Sequence, residues 1–194
     1  MSVQLILASA SPRRQVLLKQ VGIAFRQQVA EIDETPLDNE AAEDYVVRLA
    51  LEKARAVRQH SAADGLPVLG ADTAVVIDGR PLGKPENLAH ARQMLQLLSG
   101  REHRVMSAVA LVKNRKTVQL SVSRVWFRPL SENEIDAYWR TGEPQDKAGA
   151  YAIQGVGAIF IERLEGSYTG VMGLPLYETG QLLQEFGIQV LERR

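Results

Sequence analysis

Asp72 lies inside the apolar run Pro67-Val68-Leu69-Gly70-Ala71-Asp72-Thr73-Ala74-Val75-Val76-Ile77. Carboxylates are poor strand formers, and one within such a run must be paired, protonated or bound to a metal. A structural partner such as an arginine would satisfy it; so would a functional site, where perturbed carboxylates gather. Lys53 poses the same question, because it falls in the apolar stripe Val46, Leu49, Ala50, Ala54 and Val57. Its ammonium either snorkels out along its stem or points into a polar site. Arg13 and Arg14 are the third anomaly. They follow Ser11-Pro12, a start signal for a helix, where the dipole disfavours cations and suits anions. Two arginines there fit either a solvated surface or a multiply charged anion nearby. Glu31, Asp33, Glu34 and Asp72 thus stand against Arg13, Arg14, Lys53 and Lys84. Carboxylates without histidine or cysteine suit hard Mg²⁺ or Mn²⁺, shared with substrate phosphate. Cations then neutralise charge as it develops. The set describes a metal-assisted phosphate-ester or anhydride hydrolase.

Other chemistries are poorly served. The 194 residues contain no cysteine, which removes disulfides, thiolate metal sites and cysteine nucleophiles. His60, His90 and His103 share no metal-ligand spacing and read as surface or packing residues. There is no phosphate-binding loop of Walker type, no dinucleotide glycine fingerprint and no nucleophile elbow. Lysine and arginine total 23, as do aspartate and glutamate. This balance gives no support to nucleic-acid or membrane-surface binding. No apolar run approaches the roughly 20 residues that span a bilayer, and no signal-peptide pattern opens the chain. A cytoplasmic protein is expected.

The elements that must position these groups can be read from periodicity. Leu5-Ile6-Leu7-Ala8 predicts a short buried strand that turns at Ser9 and Ser11 into a helix capped by Ser11 and stopped at Gly22. A second strand is expected between Ile23 and Val29, a helix from Ala41 to Arg58 and a central strand over 67–77, closed by Asp78-Gly79. Pro81-Leu82-Gly83-Lys84-Pro85 reads as a stiff loop that sets where Lys84 points. A helix follows with Leu88, Ala91, Leu95 and Leu98 on one face. Val105–Val112 and Val118–Phe127 predict a hairpin, and Ser131 with Glu134 a capping box for a helix to Trp139. The glycine-rich stretch 146–155 reads as a loop that lets backbone approach a ligand, leading into a strand over 156–161. A loop over 166–175 then precedes a last helix carrying Leu176, Leu182, Leu183 and Phe186. Strands alternating with helices around one long hairpin predict a mixed α/β sheet within a single domain, residues 1–194.

The chain resembles the Maf family of nucleoside-triphosphate pyrophosphatases. The resemblance is carried by Leu7-Ala8-Ser9-Ala10-Ser11-Pro12-Arg13-Arg14, Ile32-Asp33-Glu34, Ala50-Leu51-Glu52-Lys53-Ala54, Gly70-Ala71-Asp72-Thr73, Gly83-Lys84-Pro85, Asp146-Lys147-Ala148-Gly149-Ala150-Tyr151, Ile153-Gln154-Gly155 and Gly173-Leu174-Pro175. It implies a long mixed β-sheet flanked by helices, with two lobes around a central cleft. The implied reaction cleaves a nucleoside triphosphate between the α- and β-phosphates, giving the monophosphate and pyrophosphate.

Site residues follow from the same resemblance. Asp72 matches the proton acceptor and Glu34 a metal ligand, with Asp72 as the second ligand to Mg²⁺ or Mn²⁺. Lys53 and Lys84 match catalytic, phosphate-facing positions; Ser9, Arg13 and Arg14 match substrate-binding ones. Preference tracks Arg13, Thr73 and Gln154, the combination of relatives acting on dTTP and UTP; those acting on 7-methyl-GTP carry tryptophan, glutamine and glutamate there. Neutral donors and acceptors at Thr73 and Gln154 suit a uracil-type edge. The resemblance implies a house-cleaning hydrolase of dTTP, UTP or modified pyrimidine nucleotides, with the homodimer usual for such relatives. Its alternative is a nucleotide-binding regulator of septum formation without significant turnover.

Overall fold

The computed structural model describes residues 3–61 and 65–191. A seven-stranded sheet runs in the order β2-β1-β3-β5-β6-β7, with β4 paired to β3. Strand β1 (Leu5–Leu7) runs parallel to β2 (Phe25–Gln27) and to β3 (Val68–Ile77). The rest is antiparallel: β4 (Arg80–Leu82) and β5 (Glu102–Val112) on β3, β6 (Lys116–Phe127) on β5, and β7 (Ile161–Glu165) on β6. Helices α1 (Pro12–Gln20), α2 (Ala42–His60), α3 (Leu88–Leu98), α4 (Glu132–Arg140), α5 (Tyr168–Met172) and α6 (Leu176–Glu185) flank it. No helix among the described residues is long and apolar enough to cross a membrane.

Burial explains the pattern. Strands β3 and β5 are buried along nearly their whole length, as strands covered on both faces must be. Residues 121–125 of β6 alternate buried and exposed, so one side of that strand meets solvent. Apolar contacts form three clusters: α2 against β3 and β5, α3 and α4 against the far ends of β3, β5 and β6, and α1 with α6 against β1 and β3.

A gap in the sheet creates the cleft. On one edge of β3, β1 pairs with Val68 and Leu69 while β4 pairs with Val75 to Ile77. Residues 70–74 have no strand partner on that side among the described residues. Side chains from both faces of β3 can therefore reach one space, although neighbours on a strand point opposite ways.

Most expected elements form, with instructive departures. Ser11 occupies the N-cap of α1, but its side chain makes no capping bond; its own N–H donates to Ser9 Oγ at 3.2 Å. The segment after Ile77 is not only a loop, because Asp78 and Gly79 both take positive φ and fold Arg80–Leu82 back as β4. The strand expected over 156–161 is displaced. Residues Val156–Phe160 form a 3₁₀ turn, since the N–H groups of Val156 and Gly157 donate to the Glu143 carboxylate instead of a neighbouring strand. The last loop contains a short helix, α5, capped by Ser167.

Candidate active site

The close contact of α2 with β3 sets the floor of the cleft. A Cβ at Gly70 would lie 2.2 Å from Ala50 O and 2.8 Å from Ala54 N, so helix backbone rests directly on the strand. Lys53, between those alanines, reaches over the strand to Asp72. Its Nζ donates to Asp72 Oδ1 at 2.7 Å and pairs with Glu34 Oε1 at 2.8 Å. Lys53 is 9 % exposed and Asp72 7 %. The lysine therefore points into a polar site, and the partner of the strand aspartate is an ammonium and not an arginine. Burial raises the Asp72 pKa; the charges of Lys53 and Arg14 only partly offset it.

Glu34 is exposed and reaches this pair from the segment before α2. The phenol of Tyr45 holds that segment by donating to Glu34 O at 3.0 Å. Arg48 adds a bond to Thr35 O and a bidentate pair with Glu40 at 2.6 and 2.7 Å. Asp33 lies outside the cleft lining and instead accepts from Thr35 N.

Thr73 and Arg14 meet on the other face of β3. Arg14 donates from Nε to Gly173 O at 2.7 Å, and from its terminal nitrogens to Ser9 Oγ at 3.0 Å and Thr73 Oγ1 at 3.3 Å. These are neutral acceptors, and burial lowers the Arg14 pKa while Asp72 and Glu34 counter it at longer range. Thr73 Oγ1 also lies 2.8 Å from Ser107 Oγ, its cross-strand partner. The Thr73 hydroxyl is thus already engaged within the protein. Arg13 behaves differently. It makes a 3.4 Å ion pair with Asp146, whose side chain is 64 % exposed, and such a contact exchanges easily.

These residues line one cavity of about 650 Å³, large enough for a nucleotide. Ser9, Arg13, Arg14, Glu34, Lys53, Asp72, Thr73, Lys84 and Gln154 all face it; Glu31 does not. Lys84 is exposed at its rim, and among the described residues it makes no side-chain bond. Sequence reasoning brought the stretch 146–155 to a ligand without giving the Asp146 and Lys147 side chains a role, and it missed Tyr45 on the lining. Tyr45 was detectable, being two helical turns before Lys53. Ser107 was not, because only the β3–β5 register brings it to Thr73.

The donor chemistry bears on a metal. Glu34 and Asp72 offer hard oxygens, but no group of three Asp, Glu, His or Cys side chains among the described residues could hold an ion by itself. The chemistry of this pair suits a hard divalent ion that takes its remaining ligands from water or a bound anion.

Comparison with known proteins identifies the family and the fold. A family model described as "Maf-like protein" matches residues 4–186. A dTTP/UTP pyrophosphatase of Alkalilimnicola ehrlichii is 54 % identical over 186 residues, covering 94 % of this chain and 92 % of that protein. One from Photobacterium profundum is 52 % identical over 191 residues, covering 95 % and 97 %. Among solved structures, a HAM1 protein from Coxiella burnetii shares the fold with a TM-score of 0.53 at 19 % identity, covering 95 % of this chain and 100 % of that one.

Proposed function

The chain belongs to the Maf-like protein family, and we propose that it hydrolyses dTTP and UTP to the nucleoside monophosphate and pyrophosphate. Relatives about half identical over nearly the whole chain carry that activity in their names. The observation that carries the reading onto this molecule is the buried Asp72–Lys53 pair, joined by the exposed Glu34, at the floor of a cavity ringed by Arg13, Arg14, Lys84 and Lys147.

Asp72 is the base in this reading. Burial favours its protonated form and so strengthens it as a proton acceptor. It takes a proton from water as the oxygen attacks the α-phosphorus; the bridging bond to the β-phosphate breaks and pyrophosphate leaves. Lys53 orients the carboxylate and offsets charge near the reacting phosphate. Lys84 and Arg13, which have no strong internal partner, are available to the outer phosphates. Glu34 and Asp72 would hold a Mg²⁺ or Mn²⁺ brought by the nucleotide, which supplies charge neutralisation at the phosphate oxygens. Gln154 faces the base. The reading makes this a cytoplasmic house-cleaning enzyme.

The test is pyrophosphate release from dTTP, UTP, dCTP and GTP with and without Mg²⁺. Pyrophosphate from dTTP and UTP, dependent on the metal, is expected. Orthophosphate release would point to a general phosphatase, and nucleotide binding without turnover to the regulatory alternative.

A further inference from the structure

We propose that Glu143 is a positioning residue for the base of the substrate, acting by fixing the turn that presents Gln154 to the cavity. The inference rests on the nucleotide reading above and names what sets selectivity within that site.

Gln154 lines the cavity, is exposed, and among the described residues its side-chain amide makes no hydrogen bond. Nothing attached to the amide holds it, so its position depends on the backbone beneath. That backbone is pinned from one side by two buried or half-buried groups. Glu143 Oε2 accepts from Val156 N at 2.8 Å, and Oε1 accepts from Gly157 N at 3.0 Å and from the Tyr138 hydroxyl at 2.6 Å. The Tyr138 oxygen in turn accepts from Ala152 N at 3.1 Å. Both flanks of Gln154 are therefore tied to one carboxylate–phenol pair.

The glycines of this stretch agree. A Cβ on Gly155 would fall 2.0 Å from Glu143 Oε2, and one on Gly157 2.6 Å from the Tyr138 oxygen. Their lack of side chains admits Glu143 and Tyr138, where the sequence suggested close approach to a ligand. Burial pushes the Glu143 pKa up, yet the bonds it accepts from Tyr138, Gly157 and Val156 outweigh this and hold it below the usual range. Such a carboxylate is a firm anchor. The same short turn, Glu143–Asp146, ends at the partner of Arg13, so it joins the base side of the cavity to the helix beside β1.

The experiment measures kcat and KM for dTTP, UTP and GTP on the full chain. It compares wild type, Glu143→Ala, Glu143→Gln and Gly155→Ala, each checked by circular dichroism at the assay temperature. Glu143→Ala should raise KM for dTTP and UTP about tenfold, the equivalent of a lost hydrogen bond, with kcat within about threefold. The preference for dTTP over GTP should shrink correspondingly. Glu143→Gln keeps an acceptor for Gly157 and turns an N–H toward Val156, so it should lie between. Gly155→Ala, which attacks the same contact from the loop side, should reproduce the pattern and serves if Glu143→Ala does not fold. A wild-type preference retained in the variants, or an equal fall in kcat on every triphosphate, overturns the proposal. A wild type with no preference for dTTP and UTP overturns the nucleotide reading itself, and the inference with it.

Discussion

Lys53 Nζ lies 2.7 Å from Asp72 Oδ1, and each residue is less than a tenth exposed. The ammonium belongs to a helix and the carboxylate to the central strand, and the same Nζ also holds Glu34. Removing Lys53 would leave the buried carboxylate without its ion-pair partner, whereas removing Asp72 would leave the ammonium with Glu34. Asp72 combines burial, which raises its pKa, with a partner that keeps it aligned, and both features suit the proposed role of general base.

Asp72→Asn should lower kcat by about 10²–10³-fold, the usual effect of removing one such group. The amide still accepts from Lys53, and Glu34 remains beside the ammonium, so folding should persist. Pyrophosphate release together with circular dichroism checks both halves. An Asp72→Asn enzyme of wild-type activity would remove Asp72 from the mechanism.

Lys53→Met keeps the apolar stem and deletes the charge. It leaves Asp72 buried without its ion-pair partner, which should cost about 3–5 kcal/mol near neutral pH. The Asp72 pKa, already raised, rises further. A carboxylate with a raised folded-state pKa withdraws stability above its unfolded value near 4 and restores it as pH falls toward that value. Denaturant titrations at pH 8 and pH 5 should therefore show a larger deficit at pH 8. An equal deficit at both would mean that Asp72 is not the group left uncompensated.

Gly70→Ala tests the contact that delivers Lys53. The new methyl meets helix backbone at Ala50 and Ala54, so α2 must move. A stability loss of about 1–3 kcal/mol is expected. Among molecules that remain folded, turnover should fall by about 10²-fold, because a misplacement of about 1 Å at the catalytic groups suffices. Full turnover in a folded Gly70→Ala protein would show that the spacing of α2 and β3 does not set the catalytic geometry.

His103 gives a pH signature outside the cleft. Burial pushes its pKa down to about 4. Its Nε2 meets the Tyr151 hydroxyl at 2.8 Å, and its Nδ1 is buried without a hydrogen-bond partner among the described residues. Below the unfolded value near 6.5 the unfolded chain takes a proton that the folded one refuses. Stability should thus be complete above pH 6.5 and decline by about 1.4 kcal/mol per pH unit toward 4. Comparison with His103→Gln isolates this slope; parallel curves for the two proteins would show that His103 does not titrate on unfolding.

Much of this was legible in the chain itself. The apolar stripe of α2, the buried run of β3, the turn at Asp78-Gly79 and the capping box at Ser131 depend on spacing within one segment, and they form as periodicity requires. The anomalies were legible too. Asp72, Lys53 and Arg14 stood out because each places charge where its own segment disfavours it.

Segment-level rules do not say which distant group resolves an anomaly. Thus the strand expected over 156–161 gave way to a turn once Glu143, from another element, captured its N–H groups. Ser11, placed at a helix start, yielded its capping role because Ser9 and Arg14 already shape that turn. Composition and pattern determined the set of elements, the core faces and the list of charged residues needing an explanation. Tertiary structure alone decided that Lys53 and not an arginine answers Asp72, that Arg14 is spent on Ser9, Thr73 and Gly173, and that the gap between β1 and β4 opens both faces of β3 to one cavity. Those outcomes rest on contacts between residues far apart in sequence, where the deciding quantity is how closely two backbones can approach, as at Gly70.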